Sequence, residues 1–235
     1  MSARIGVVTF PGSNCDHDTL WALEQLGVET TAMWYRAEDL DHVDGVVLPG
    51  GFSYGDYLRS GALAAQAPVL TALQAAVETR SLPVLGICNG FQILTEAGLL
   101  PGALRPNRHG EFRCDWHTVR VVEESRWFPG LAVGKALRLP IAHAEGSYYV
   151  PNGQLGALFQ NGEAWLQYVD DAGRLSPMAN PNGSVANLAG VQRGSVAALM
   201  PHPERAMEVF LGSDDGRQLL GAWVQGVSQE AIHAR

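Results

Sequence analysis

Four apolar stretches, residues 4–10 (RIGVVTF), 45–48 (GVVL), 82–87 (LPVLGI) and 196–200 (VAALM), run on without polar alternation. A strand of that kind is buried on both faces, which is the habit of a central parallel sheet. Residues 28–34 read as a further strand. Between these runs the period changes to that of a helix. Leu20, Leu23 and Leu26 make a stripe closed by Gly27, with Ser13 or Asn14 offering an N-cap. Residues 62–80 are rich in Ala and Leu, with Pro68 marking a break or a fresh start. Residues 90–98 predict a short helix. Residues 213–229 predict a long one, capped by Ser213, with Asp214 and Asp215 at its positive end. The middle of the chain differs. Residues 119–122, 137–142 and 165–169 are strand-like and punctuated by Gly, Pro and Asn, as expected of antiparallel strands added to the sheet. The alternation predicts an α/β fold: a doubly wound, mostly parallel open sheet with helices on both faces, in one domain over residues 1–235.

Composition narrows the function. The 235 residues are 46% hydrophobic and 17% charged, too apolar for a disordered chain. The first apolar run leads straight into Pro11-Gly12, which reads as a first strand and not a signal peptide. No apolar run approaches the ~18 residues of a membrane helix. Net charge is −8, with no basic stripe, so neither nucleic acid nor a membrane surface is an expected partner. Cys15, Cys88 and Cys114 lie far apart, without the CxxC spacing of zinc or redox sites, and an odd count is a poor disulfide framework. His17, His42, His109, His117 and His233 show no paired metal spacing. A cytoplasmic protein without a metal is the expectation.

The richest segment is residues 82–94, LPVLGICNGFQIL. Cys88 stands between a buried strand and a helix, framed by Gly86 and Gly90. A nucleophile on so sharp a turn projects from it, and glycines two residues to either side remove the side chains that would clash. The helix N-terminus favours the thiolate. A small buried core cysteine fits the same pattern. A thiol nucleophile needs a base, and the base needs an orienter. Met200-Pro201-His202-Pro203-Glu204 ends another expected strand and offers both. Proline after His202 holds it extended, and in extended chain residues 202 and 204 point the same way. A surface turn with an incidental H-x-E pair is the plainer alternative. The two segments gain force together, because both lie at carboxyl ends of expected parallel strands, where open α/β sheets bind ligands. Residues 48–56 (LPGGFSYGD) add adjacent glycines, whose N–H groups could hold an oxyanion or merely form a turn.

Pro49-Gly50-Gly51, Gly86-Ile87-Cys88-Asn89-Gly90 and Pro201-His202-Pro203-Glu204, in that order and spacing, resemble the class I (triad) glutamine amidotransferases, a flavodoxin-like family. The likeness covers nearly the whole chain. Residues 10–16 (FPGSNCD), 51–59 (GFSYGDYLR), 88–92 (CNGFQ), 140–143 (PIAH) and 180–184 (NPNGS) are similar to the branch of free-standing glutaminase subunits of purine biosynthesis. The resemblance implies Cys88 as nucleophile, His202 as proton shuttle and Glu204 as its orienter. It implies main-chain oxyanion donors at Gly51 and Asn89, and substrate contacts from Phe52, Gln92, His143 and Glu145. The segment departs from the family pattern at Ala144, where glycine is expected. Glutamine would be hydrolysed through a Cys thioester to glutamate and ammonia. The implied partners are an ATP-dependent synthetase subunit, which converts formylglycinamide ribonucleotide to formylglycinamidine ribonucleotide, and a small bridging subunit. ATP and Mg would belong to the synthetase, with no cofactor on this chain. Two rivals stay open on the residues alone: a triad glutaminase serving another synthetase, and a thiol-bearing binding protein on the same fold.

Overall fold

The computed structural model describes residues 3–233. In chain order the elements are β1 (Arg4–Thr9), α1 (Asp16–Glu24), β2 (Glu29–Trp34), β3 (Gly45–Leu48), α2 (Pro68–Arg80), β4 (Val84–Ile87), α3 (Asn89–Glu96), β5 (Ala103–Arg105), β6 (Arg113–Val121), β7 (Ala136–His143), β8 (Ser147–Tyr149), α4 (Leu155–Gln160), β9 (Ala164–Val169), β10 (Leu188–Arg193), β11 (Val196–Leu199) and α5 (Asp215–His233). A nine-stranded sheet runs β2-β1-β3-β4-β11-β10-β9-β6-β7, and β5 pairs with β8 separately. The first five strands of that order are parallel and the next four antiparallel. This is the mixed α/β sheet that the apolar runs predict. β3, β4 and β11 are buried at every position. Each large aliphatic side chain so removed from water contributes about 1.5–3 kcal/mol.

Two local expectations change, at the start of α1 and at the start of β6. Cys15 takes the N-cap position of α1 and makes no side-chain cap bond, while the Ser13 hydroxyl accepts the Phe10 N–H at 3.1 Å. Pro68 does mark a fresh start in residues 62–80: a 3-10 turn, Ala64–Gln66, precedes α2, which begins at Pro68, where a missing N–H costs nothing. β6 starts at Arg113, well before the apolar stretch at 119–122, because its first half is held by main-chain pairing with β7 and little by burial. The Ser213 hydroxyl does accept the Asp215 N–H at 3.1 Å, opening α5.

One pairing places the chemistry. β4 and β11 are parallel neighbours with Ile87 opposite Leu199, and the Cys88 N–H extends the ladder to Leu199 O at 2.8 Å. The residues that leave these strands, Cys88 and the 200–204 segment, therefore emerge side by side at one sheet edge. α3 lies hard against that edge: a Cβ on Gly90 would come within 2.0 Å of the Leu48 carbonyl oxygen on β3.

Candidate active site

Cys88 joins β4 to α3 with φ 49° and ψ −101°. A non-glycine residue at positive φ stores of order 1–3 kcal/mol and persists only where its surroundings impose it. Here the strand ladder holds its N–H, and Phe91 and Gln92 donate to its carbonyl at 3.0 and 3.2 Å. Gly86 is required for the same bend, since a Cβ there would meet the Gly90 main chain at 2.9 Å. The thiol is buried yet lines a small cavity of about 70 Å³, along with Gly51, Phe52, Asp56, Ser60, Gln92 and residues 142–145.

His202 and Glu204 are both buried, and His202 Nδ1 lies 2.5 Å from Glu204 Oε1. The carboxylate reaches the ring by a different route from the one expected. His202 is extended (φ −105°, ψ 88°), but Pro203–Arg205 forms a 3-10 turn, and it is that turn which folds Glu204 back. With Nδ1 donating to the carboxylate, Nε2 is left for the thiol. Nε2 is buried and has no hydrogen-bond partner. Burial pulls the His202 pKa down, but the charge of Glu204 and then that of Cys88 pull harder, and the net shift is well upward. Cys88 and His202 thus leave adjacent strands at the same rim, near enough for the charge of the thiol to act on the ring.

Cys15 is the second buried thiol beside this ring. Its Sγ receives the Arg205 guanidinium at 3.0 Å and donates to Asn14 Oδ1 at 3.2 Å, and it does not line the cavity. Cys15, His202 and Glu204 offer ligand atoms within 4.8 Å of one another. Their donor set suits a metal poorly. Two of the groups are spent on the 2.5 Å His–Glu bond, and a guanidinium occupies the side of the third.

The remaining expected residues divide by what their polar groups do. The Asn89 N–H opens α3, where the first-turn donors lack helical acceptors. Its side chain is structural: Oδ1 accepts the Ser53 N–H at 3.3 Å and Nδ2 donates to Gln92 Oε1 at 2.8 Å, tying the Gly51 loop to α3. Gly51 has φ 144°, and a Cβ there would strike the Asn14 N at 2.8 Å. Phe52 and Glu145 line the cavity. Gln92 does too, but Nε2 donates to Glu145 O at 2.7 Å, so both ends of its amide are engaged with protein. His143 is also wall more than ligand. Nδ1 sits 3.1 Å from Asn107 Oδ1, and Nε2 sits 3.5 Å from Asn182 Nδ2. Asp56 and Ser60, absent from the expected set, stand on the same cavity. Asp56 lies within the GFSYGDYLR stretch, and Ser60 follows it directly.

Burial, then the charge of His202, lowers the His143 pKa to about 3. An unfolded histidine takes its proton near pH 6.5. Between those values the unfolded state binds a proton that the native state refuses, so stability falls as pH drops below 6.5, by about 1.4 kcal/mol per unit from this group. Denaturant midpoints measured from pH 7 to 4 are expected to fall less steeply in His143→Gln than in wild type, by one proton's worth. Parallel slopes would show that His143 does not stay neutral.

Comparison with known proteins agrees with this geometry. Residues 2–225 match the family model of the CobB/CobQ-like glutamine amidotransferase domain. A phosphoribosylformylglycinamidine synthase subunit PurQ of Thermomicrobium roseum is 55% identical, covering 98% of this chain and 99% of its own. The protein of the same name from Symbiobacterium thermophilum is 48% identical over 97% and 99%. The solved PurLQS structure from Thermotoga maritima superposes with TM-score 0.83 at 39% identity, covering 96% of this chain and 99% of the matched one. A putative GMP synthase subunit from Thermoplasma acidophilum (TM-score 0.65, 19% identity, covering 100% of this chain and 99% of its own) shares the fold. With a buried Cys-His-Glu constellation at the edge of its parallel strands and relatives matched end to end, this chain belongs to the CobB/CobQ-like glutamine amidotransferase family, alongside the PurQ subunits of phosphoribosylformylglycinamidine synthase.

Proposed function

We propose that this chain is the glutaminase subunit of phosphoribosylformylglycinamidine synthase. Its best support is the convergence of Cys88 with the His202–Glu204 pair at the end of adjacent strands, in a chain 55% identical to a PurQ subunit. Cys88 Sγ attacks the side-chain amide carbon of glutamine. The amide oxygen becomes an oxyanion, which the N–H groups of Gly51 and Asn89 stabilise. His202 delivers its proton to the departing nitrogen, ammonia leaves, and a glutamyl thioester remains. Water enters, His202 takes its proton, and the collapse of the second adduct releases glutamate and the thiolate. Covalent attack and preorganised donors are each worth a few kcal/mol of barrier.

Free ammonia becomes ammonium in water and is lost to the reaction, so the product must pass directly to a nitrogen-accepting partner. In this reading the partner is the ATP-dependent synthetase that makes formylglycinamidine ribonucleotide, with a small bridging subunit completing the assembly. ATP and Mg reside on the synthetase, and the glutaminase half-reaction draws on no cofactor of this chain. The described residues include no helix long and apolar enough to cross a membrane. Ammonia release by the purified chain, measured with and without the synthetase, tests the coupling. The isolated chain should be slow and docking should accelerate it tenfold or more, on the order of one well-placed hydrogen-bond donor. Equal rates would remove the coupling from the proposal.

A further inference from the structure

Arg205 follows Glu204 in the chain and is half-buried beside it. The two charges sense each other. Burial lowers the Arg205 pKa, and Cys15, Glu204 and Asp18, in that order, raise it further, with a net rise. Glu204 also has room for a partner, because its Oε2 is buried and makes no hydrogen bond. A guanidinium beside such a carboxylate ordinarily pairs with it, often through both oxygens. Here it does not. Arg205 Nη2 donates to Cys15 Sγ at 3.0 Å, and Nε donates to Asp18 Oδ2 at 3.3 Å. Among the described residues its ion pair is with Asp18 and not with Glu204. Both holds come from one place, since Cys15 is the N-cap of α1 and Asp18 lies in its first turn.

The consequence falls on His202. Its Nδ1 bonds Glu204 Oε1, and the carboxylate charge stabilises the imidazolium. A guanidinium seated on Oε2 would offset that charge. The sulfur is well placed to prevent this. A Cβ on Gly50 would lie 2.6 Å from His202 Cε1 and 3.2 Å from Cys15 Sγ, so ring and sulfur pack on the same piece of main chain. We infer that Cys15, supported by Asp18, is a positioning residue that holds the Arg205 guanidinium off Glu204 and so keeps the carboxylate for His202. This deepens the glutaminase reading and rests on it.

Several groups face the ring. Burial lowers the His202 pKa, while Glu204, Cys88 and Cys15 raise it. His143 faces it too, because after burial the His202 charge is what lowers the His143 pKa. Loss of Cys15 therefore acts on His202 in two ways. It removes a direct upward pull, and it frees Arg205 to reach Glu204. Both move the ring toward lower pKa, so a single substitution does not separate them. A double-mutant cycle with Arg205 does, because only the second effect needs the guanidinium.

Ammonia release by the assembled complex is measured against pH for Cys15→Ala, Arg205→Met and the double variant, beside thermal melts. Cys15→Ala should lower kcat by about 10- to 100-fold, a part of the loss expected from neutralising Glu204 itself. KM should stay within about twofold, because Cys15 does not line the cavity. The alkaline limb of kcat should move to lower pH, since a carboxylate shared with Arg205 holds the imidazolium proton less firmly. Arg205→Met alone should change kcat by less than about threefold, yet in the Cys15→Ala background it should restore kcat to within about threefold of wild type and return the limb. Cys15→Ser, whose hydroxyl also accepts from a guanidinium, should retain kcat within about threefold. If Cys15→Ala melts early, Cys15→Val takes its place, keeping the volume without the acceptor. Additive effects of the two substitutions overturn the inference, and so does an unchanged kcat on loss of the sulfur. A wild-type complex that releases no ammonia from glutamine would instead sink the glutaminase reading, a separate outcome.

Discussion

Cys88→Ala is expected to reduce ammonia release from glutamine by about 10⁴-fold or more, because removing a nucleophile that acts as one unit with its base forfeits nearly all the benefit of both. The structure gives reason to expect the fold to survive. The strain at Cys88 is in its main chain, at φ 49°, and alanine meets that conformation on the same terms as cysteine. The sulfur donates one weak hydrogen bond, 3.7 Å to the Ala142 carbonyl, and its loss leaves the strand ladder at Cys88 intact. The measurement is ammonia release by the complex beside a thermal melt of the variant. Residual activity above one part in a hundred, with a native melt, would remove Cys88 from the reaction. Covalent labelling gives an independent reading. A glutamine-analogue electrophile should modify Cys88 and be blocked by glutamine. Cys15 is buried, lies off the cavity and should remain unmodified, and Cys114, exposed on β6, should react without protection by glutamine. Labelling spread evenly over the three thiols would favour a binding protein.

The parts of this site visible in the sequence are those fixed by sterics and by strand ends. Gly86 and Gly90 announced the elbow because main chain packs where their side chains would be, at 2.9 and 2.0 Å. That Cys88 and His202 leave neighbouring strands at one rim is legible in two continuous apolar runs, since such strands lie in the sheet centre. Distant contacts were harder to see. Glu204 does bond His202, but through the 3-10 turn at Pro203–Arg205 and not through extended chain. His143 and Gln92 look like ligands in a motif, yet the Asn107, Asn182 and Glu145 groups that engage them come from elsewhere in the chain. β10 leaves little trace in the sequence for a related reason. Its LAGVQR stretch is interrupted by Gly190 and a shift of register against β9, which breaks the apolar signal. β5 and β8 are three residues each, too short for any period to show.

Glu204→Gln should lower kcat by about 10²- to 10⁴-fold while KM moves little, the scale on which a buried carboxylate behind a catalytic histidine acts. At 2.5 Å the carboxylate both fixes which ring nitrogen carries a proton and offsets the charge of the imidazolium. A neutral amide does neither reliably. If its oxygen faces Nδ1, the tautomer is kept and the charge compensation is lost. If its nitrogen faces Nδ1, the proton is driven to Nε2 and the base is turned away from the thiol. The site also has no substitute to recruit, because Arg205 carries the wrong sign and Cys15 is held by it. The sign of the pH effect follows. Burial alone would depress the His202 pKa, and the Glu204 charge is the leading reason that the net shift is upward. Without that charge the imidazolium gives up its proton at lower pH. Release of ammonia needs that proton, so the alkaline limb of kcat against pH should move toward acid in Glu204→Gln. A purely structural role for Glu204 would lower the plateau and leave the limb where it was. Superimposable profiles with less than tenfold loss would exclude the carboxylate from the reaction and leave the Cys88–His202 pair to work alone.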